Sequence, residues 1–434
     1  MSPGFTEADL DAIALRRRIR GSESEPSIGG DRDDFDERLR TADESYAPPR
    51  GDLTRPVIEA MGEYQHLEDV GHVRVALAGA ATAVLDGDPL WLMLVGGPSS
   101  GKTEDLRALD GLARSVDEVT RAGLLGWTGS GKTGRVSGLL TRIGKRGLAT
   151  VADFSTLLAG DHTERDRTFA ALRRIYDGRY VRNLGQIGQP LVWEGRLTLL
   201  AAVTGAVDNY SSHADALGPR WVYCRIPEFS AEGKRRAARL SRDTTGSKAK
   251  HRDEVCGLAT AAIAQASKSI AEKRTPDALA EKIITAAIVA TQARAGVPRS
   301  GYGKREVLGE VVREEPMRLA GQLEMLTRGL LALRVPTVQV TDLVRRCALD
   351  SIDQTRRAAL AELVTGEVIT VNGMATRLRC DWHVADRALE DLRLIGLVAD
   401  VGQGHEGNAR HGRTEPRSYR LHGEYAELVK EAFL

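Results

Sequence analysis

From Val57 to Leu85 apolar residues return every three or four positions, the period of helices with one buried face, and Gly87-Asp88-Pro89 then stops the pattern. The next stretch changes period: Leu90-Trp91-Leu92-Met93-Leu94-Val95 is apolar at every position. So short a run with no polar face predicts a strand buried on both sides, of the kind found inside a parallel sheet. Leu148 to Ala152 and Leu197 to Val203 stand among helical patterns in the same way. Strands alternating with crossover helices predict an α/β fold.

The flanking segments read differently. Residues 1–55 hold a short basic helix candidate, Leu15-Arg16-Arg17-Arg18-Ile19-Arg20, and then a Gly/Ser/Asp/Glu/Pro-rich tract with few large apolar residues. Such a tract buries too little surface to offset its ordering entropy, so a flexible arm or a plain solvated tail is expected. From Ser230 to Asp350 the pattern is mostly helical, and a Lys/Arg-rich interruption at Ser241 to Arg252 predicts an exposed loop. From Thr355 the order is helix, short strand, helix, turn, helix, then a Gly-rich polar stretch ending in Ser418-Tyr419-Arg420-Leu421. That is the layout of a winged helix-turn-helix. The predicted units are an arm (1–55), an α/β core (56–229), a helical lid (230–354) and a C-terminal domain (355–434). No internal repeat of 20–50 residues is visible.

Composition narrows the function classes. A chain of 434 residues with 42% hydrophobic and 28% charged residues is neither disordered nor fibrous overall. At a net charge of +1 no global field draws nucleic acid, so any DNA contact has to be local. Cys224, Cys256, Cys347 and Cys380 are scattered without a CxxC pair, which predicts neither a zinc site nor a disulfide framework and suits a reducing cytosol. No apolar run reaches the roughly 18 residues a membrane crossing needs, and a signal-peptide layout is missing, so a soluble cytoplasmic protein without a membrane partner is expected.

The segment Gly96-Gly97-Pro98-Ser99-Ser100-Gly101-Lys102-Thr103 fits G-x-x-x-x-G-K-[ST]. In this pattern glycines let backbone N–H groups close around phosphates at a helix N-terminus. Lys102 is expected to reach the β- and γ-phosphates of ATP and the Thr103 hydroxyl to ligate Mg²⁺, with a helix from Thr103 to Arg114. Gly126-Trp127-Thr128-Gly129-Ser130-Gly131-Lys132-Thr133 satisfies the same pattern. Only Leu124-Leu125 precedes it, and Asp153 follows too soon for a helix and a crossover, so it reads as a decoy: a Gly-rich loop before the helix 138–143. The strand Leu148-Ala149-Thr150-Val151-Ala152 closes in Asp153, where a carboxylate can hold Mg²⁺ through water. An aspartate that merely caps the next helix is the plainer alternative.

Tyr180-Val181-Arg182 and Leu191-Val192-Trp193 flank a glycine-bearing loop, a hairpin signal that could equally serve to cover a sheet edge. In the C-terminal part, Thr370 to Leu378 and Asp381 to Leu392 read as helix-turn-helix, with Leu389, Leu392 and Ile395 as the buried stripe. Arg377, Arg379, His383 and Arg387 are candidates to face DNA, with Arg410, Arg413, Arg417 and Arg420 on the wing. Acidic residues match these arginines in number, and a protein-docking role stays open.

On these motifs the chain resembles AAA+ ATPases encoded by phages, plasmids and integrated elements, with replicative-helicase-like relatives. The resemblance runs from about Val57 to the C-terminus. It is carried by Gly-Asp-Pro-Leu-Trp-Leu before the first motif, Gly-Pro-Arg-Trp-Val before the lid, and the terminal domain. It implies a P-loop NTPase fold, with a three-layer α/β core, a helical lid and a C-terminal winged helix-turn-helix. It also implies a homo-oligomeric ring, hexameric in type, coupling ATP turnover to DNA in replication of a mobile element as helicase, initiator or loader. Carried over, Thr204 falls where a sensor feels the γ-phosphate, Arg220 where an arginine finger reaches a neighbour's ATP, and Arg318 where a lid arginine senses phosphate. Arg182 and Gln186 fall on the hairpin that such helicases present to DNA. The chain departs from the family at Phe154 and Ser155, since most AAA+ enzymes place a catalytic glutamate directly after the Walker B aspartate. An ATP-controlled DNA-binding regulator with slow hydrolysis and an ATP-dependent protein remodeller are the alternatives.

Overall fold

The computed structural model describes residues 34–43, 51–129, 134–185, 190–208, 220–300, 306–311, 313–401 and 417–434. It is a mixed α/β structure around a five-stranded parallel sheet. The strands of this sheet are β1 (Trp91–Val95), β2 (Arg114–Val116), β5 (Arg146–Val151), β8 (Arg196–Val203) and β9 (Val222–Arg225). They lie in the order β2-β5-β8-β1-β9. β1, β5 and β8 are the three apolar runs, and their place inside the sheet explains why they lack a polar face.

Alternation along β1 sends side chains to two cores. Leu90, Leu92 and Leu94 join Leu200, Ala202, Val222 and Cys224 beneath the helices Gly71–Ala81, Lys248–Ser267, Asp277–Ala293, Met317–Ala332 and Thr337–Asp350. Trp91, Met93 and Val95 join Leu197, Leu199, Ala201 and Val203 on the other face, against Phe169, Leu172 and Ile175 of the helix His162–Tyr176. The segment expected as a lid is therefore helical, but much of it forms a layer directly on the sheet.

Several boundaries move. Phe35 and Leu39 are buried, so the helix Asp34–Asp43 is docked and the expected arm does not extend unbroken to residue 55. Arg146 to Asp36 (2.8 Å) ties this helix to the start of β5. Residues 1–33 lie outside the described residues. The Lys/Arg-rich stretch 241–252 is mostly helical, because Lys and Arg are good helix formers when solvated; a turn at 244–247 separates Ala231–Asp243 from Lys248–Ser267. The predicted helix 103–114 ends at Arg107 and the chain re-enters the sheet as β2.

The second G-x-x-x-x-G-K-T segment is built into a hairpin. Gly126–Thr128 forms β3, antiparallel to β4 (Arg135–Ser137). β4 starts at Arg135, two residues past the end of the motif, whereas the first motif runs directly into a helix; Ser130 to Thr133 lie outside the described residues. β6 (Arg179–Arg182) and β7 (Leu191–Glu194) form a second hairpin at the predicted place.

The C-terminal part packs the helices Gln354–Leu363, Val371–Leu378 and Trp382–Ile395 with a small antiparallel sheet of β10 (Ile369–Thr370), β11 (Val398–Asp400) and β12 (Ser418–Leu421). The last helix, Gly423–Phe433, returns to pack on Asp277–Ala293. Among the described residues no helix is long and apolar enough to cross a membrane.

Candidate functional site

The chain leaves β1 toward β2 at one edge of the sheet, whereas it leaves β8 toward β9 on the other side. Connections that diverge from neighbouring strands open a crevice at their carboxyl ends, the usual ligand position in open α/β sheets. Gly96 opens the loop there, its N–H donating to Val203 O at the end of β8 (3.1 Å). The loop turns through two residues with positive φ, Ser99 (61°) and Gly101 (96°), and enters the helix Lys102–Arg107. Gly97 and Pro98 are exposed at its crest, while Ser100 and Thr103 are half-buried.

Lys102 is 8% exposed, and its ammonium donates to Gly96 O (2.8 Å), Gly97 O (2.6 Å) and Ser100 Oγ (3.3 Å). Burial pulls its pKa below the ordinary lysine value, while the charges of Asp153 and Asp105 oppose that shift. Asp153, at the end of β5, is thus within electrostatic reach of Lys102. One of its oxygens accepts from Ser155 N (2.9 Å). Thr204, at the end of β8, is fastened to the same segment: its N–H donates to Ser155 Oγ (3.2 Å) and its hydroxyl lies 3.3 Å from that oxygen. A cation inside a glycine loop, a hydroxyl on the adjoining turn and a carboxylate two strands away form a set suited to phosphate oxygens and a hard divalent ion.

A cavity of about 320 Å³ opens beside the loop. Besides loop residues it is lined by Tyr64, Gln65, His66, Phe229 and Lys248, none of which the sequence pattern singled out. The Gln65 amide is buried with neither Nε2 nor Oε1 hydrogen-bonded. It lies so close over the loop that a Cβ on Gly101 would fall 2.1 Å from Nε2. His66 meets Phe229 edge-on at 5.3 Å.

The loop helix is tied down by charge. Glu104 accepts from Arg252 (2.6 and 2.9 Å) and Arg107 (2.8 Å). Asp105 is buried against His72 Nδ1 at 2.6 Å. Burial raises the Asp105 pKa; for His72 burial pulls down but the Asp105 charge and hydrogen bond win, leaving it raised above 6.5. A raised folded-state pKa stabilises at low pH and loses that contribution as pH climbs through it, and here both groups run the same way. The melting temperature is therefore expected to fall as pH rises, from about pH 4 upward through Asp105 and from about pH 6.5 upward through His72, and His72→Gln/Asp105→Asn to flatten that slope. Thermal scans across this window test it, and a flat wild-type profile contradicts it.

The remaining candidates lie elsewhere. Arg220 precedes β9, at the amino ends of the strands and opposite the glycine loop. It pairs with Asp177 (2.9 Å) and sits 5.4 Å over the Tyr176 ring. Arg318 stands in the first turn of the helix Met317–Ala332, one turn before a residue that touches Arg220, and so near the amino ends of the strands. The expected phosphate contact by Arg318 is corrected accordingly: its helix, Met317–Ala332, runs along the sheet and its next turn places Gln322 Nε2 on Arg220 O (2.5 Å).

Arg182 Nη1 donates to the carbonyls of Arg121 (3.0 Å) and Leu125. With Arg121, Arg167, Arg174 and Arg179 it lines an open groove of about 870 Å³ in which Asp177 is the one lining carboxylate. Arg121 is braced by Glu164 (2.9 Å) and Arg179 by Glu194 (2.9 Å), whereas Arg174 has no ion pair among the described residues. In the C-terminal part, Arg377 is held by Glu362 (3.3 Å) and Glu367 (2.5 Å). Arg379 caps its helix with φ 51°, and His383 and Arg387 are exposed on the next helix. Gln186, Arg410 and Arg413 lie outside the described residues.

Compared with known proteins, the chain matches no family model and no curated protein.

Proposed function

We propose that the chain is a P-loop ATPase of AAA+ type that acts on DNA, with Gly96, Gly97, Pro98, Ser99, Ser100, Gly101, Lys102 and Thr103 enclosing the phosphates. The observation that carries the reading is the meeting of this loop with Asp153 and Thr204 at the crevice between β1 and β8, with Lys102 under the influence of the Asp153 charge. The residues present fit ATP. The Gln65 amide is an orphaned donor and acceptor beside the loop, and it occupies the space that a side chain at position 101 would need. Thr103 and Asp153 would hold Mg²⁺, which neutralises phosphate charge when bound. The chain's own work is positioning: Lys102 turns from loop carbonyls to phosphate oxygens, and Thr204 keeps the ends of β5 and β8 in register.

Arg220 lies at the opposite end of the sheet from its own loop, so as an arginine finger it would serve a neighbouring copy in a ring, after leaving Asp177. We read the helix–strand–helix–turn–helix and antiparallel sheet after residue 354 as a winged helix-turn-helix. The free cysteines suit a cytoplasmic setting.

DNA contact is supported by the five-arginine groove beside the β6–β7 hairpin, since guanidinium groups match phosphate oxygens bidentately. The test is single-stranded DNA affinity of Arg167→Ala/Arg174→Ala across a salt series. The expected result is weaker binding, with the log–log salt slope reduced by about one per arginine removed. Unchanged affinity and slope would remove the groove from the reading. A second reading, an ATP-controlled DNA-binding regulator that hydrolyses slowly, is favoured by Phe154, which fills the position after Asp153 with a buried ring 5.3 Å from Trp221.

A further inference from the structure

We propose that Glu118, just beyond the carboxyl end of β2, orients and deprotonates the water that attacks the nucleotide. The inference rests on the ATPase reading above. The residue after Asp153 cannot do this: Phe154 is fully buried in the core, and its N–H donates to Ala202 O (2.8 Å), which holds the segment in that orientation. The base has to come from another strand end on the same edge of the sheet.

The other carboxylates at that edge are engaged. Asp208 gives both oxygens to Arg225 (2.6 and 2.8 Å), Glu104 is held by Arg252 and Arg107, and Asp105 is buried against His72. Glu228 lies past the outer strand β9, 3.4 Å from Lys234. Asp117 and Glu118 are exposed and carry no ion pair among the described residues.

Register selects between them. Val116 is paired with Val151, and Ala152 N–H donates to Val116 O (3.3 Å). β2 ends at Val116 and β5 at Val151; carried two residues past these ends, the same register would set Asp117 level with Ala152 and Glu118 level with Asp153. Glu118 also has the longer side chain. Its backbone is fixed on both sides, by β2 before it and by buried Val119 and the Thr120 cap on Gly123 N (3.0 Å) after it.

In the step this assigns, the water oxygen forms a bond to the γ-phosphorus while the bond from that phosphorus to the β–γ bridging oxygen breaks. The bonding pair leaves with ADP. One water proton passes to the Glu118 carboxylate and on to solvent, and inorganic phosphate is released.

The experiment compares wild type, Glu118→Gln and Asp117→Asn for ATP turnover, equilibrium ATP affinity, and the nucleotide recovered with protein after gel filtration. Glu118→Gln is expected to lose turnover about 100-fold or more. Its ATP affinity should stay within about threefold, so that intact ATP is recovered where wild type yields ADP. Asp117→Asn should turn over like wild type. Wild-type turnover in Glu118→Gln, or loss of turnover in Asp117→Asn instead, overturns the assignment. A wild-type protein that binds ATP and hydrolyses none with any DNA overturns the hydrolytic reading itself, and this inference with it.

Discussion

Lys102→Ala should lower ATP turnover by at least about 100-fold, the scale on which loss of a preorganised charge stabiliser is felt. The reason lies in how the ammonium is stored. Buried beneath the loop, it spends its donors on Gly96 O, Gly97 O and Ser100 Oγ, partners that gain little from a full positive charge. Burial has already lowered its pKa, so a phosphate oxygen would restore the charge to a favourable setting. Alanine removes that exchange while leaving β1 and its neighbours intact, so the variant should fold. Turnover assays alongside circular dichroism check both halves, and a folded Lys102→Ala with wild-type turnover would contradict the site.

Gly101→Val carries the second large effect. At φ 96° a β-branched residue is strained by about 1–3 kcal/mol, and its Cβ would also displace the Gln65 amide from over the loop. The loop cannot keep its path, so nucleotide binding should be lost. Gly97→Ala is the control, because a Cβ there meets nothing within 4 Å and no positive φ is required. Nucleotide titrations of the two variants should separate by an order of magnitude or more; equal affinities would show that the loop is not the binding element.

Part of this was legible in the sequence. β1, β5 and β8 announce themselves because strands covered on both faces are almost wholly apolar, Thr150 and Thr198 being the buried polar residues within them, and the loop and Asp153 are contiguous with two of them. β2 was invisible: Arg114-Ser115-Val116 is three residues at a sheet edge, half exposed, with no pattern to read. The strand order could not be read either, since periodicity reveals a strand but not its neighbour. Gln65, His66, Phe229 and Lys248 reach the loop from separate segments of the chain, so no local spacing marks them. Arg318 was misplaced because a helix-start charge says nothing about which end of the sheet the helix approaches. The docked helix Asp34–Asp43 was missed because two apolar side chains, Phe35 and Leu39, suffice to anchor it within an otherwise polar tract.

The central claim is that ATP is held at Gly96 to Thr103, and calorimetric titration of ATP with Mg²⁺ tests it most directly, on wild type, Lys102→Ala and Lys132→Ala. The account predicts one nucleotide per chain for wild type and Lys132→Ala, and no measurable binding for Lys102→Ala. Binding that survives in Lys102→Ala and disappears in Lys132→Ala would contradict it and move the site to the β3–β4 hairpin.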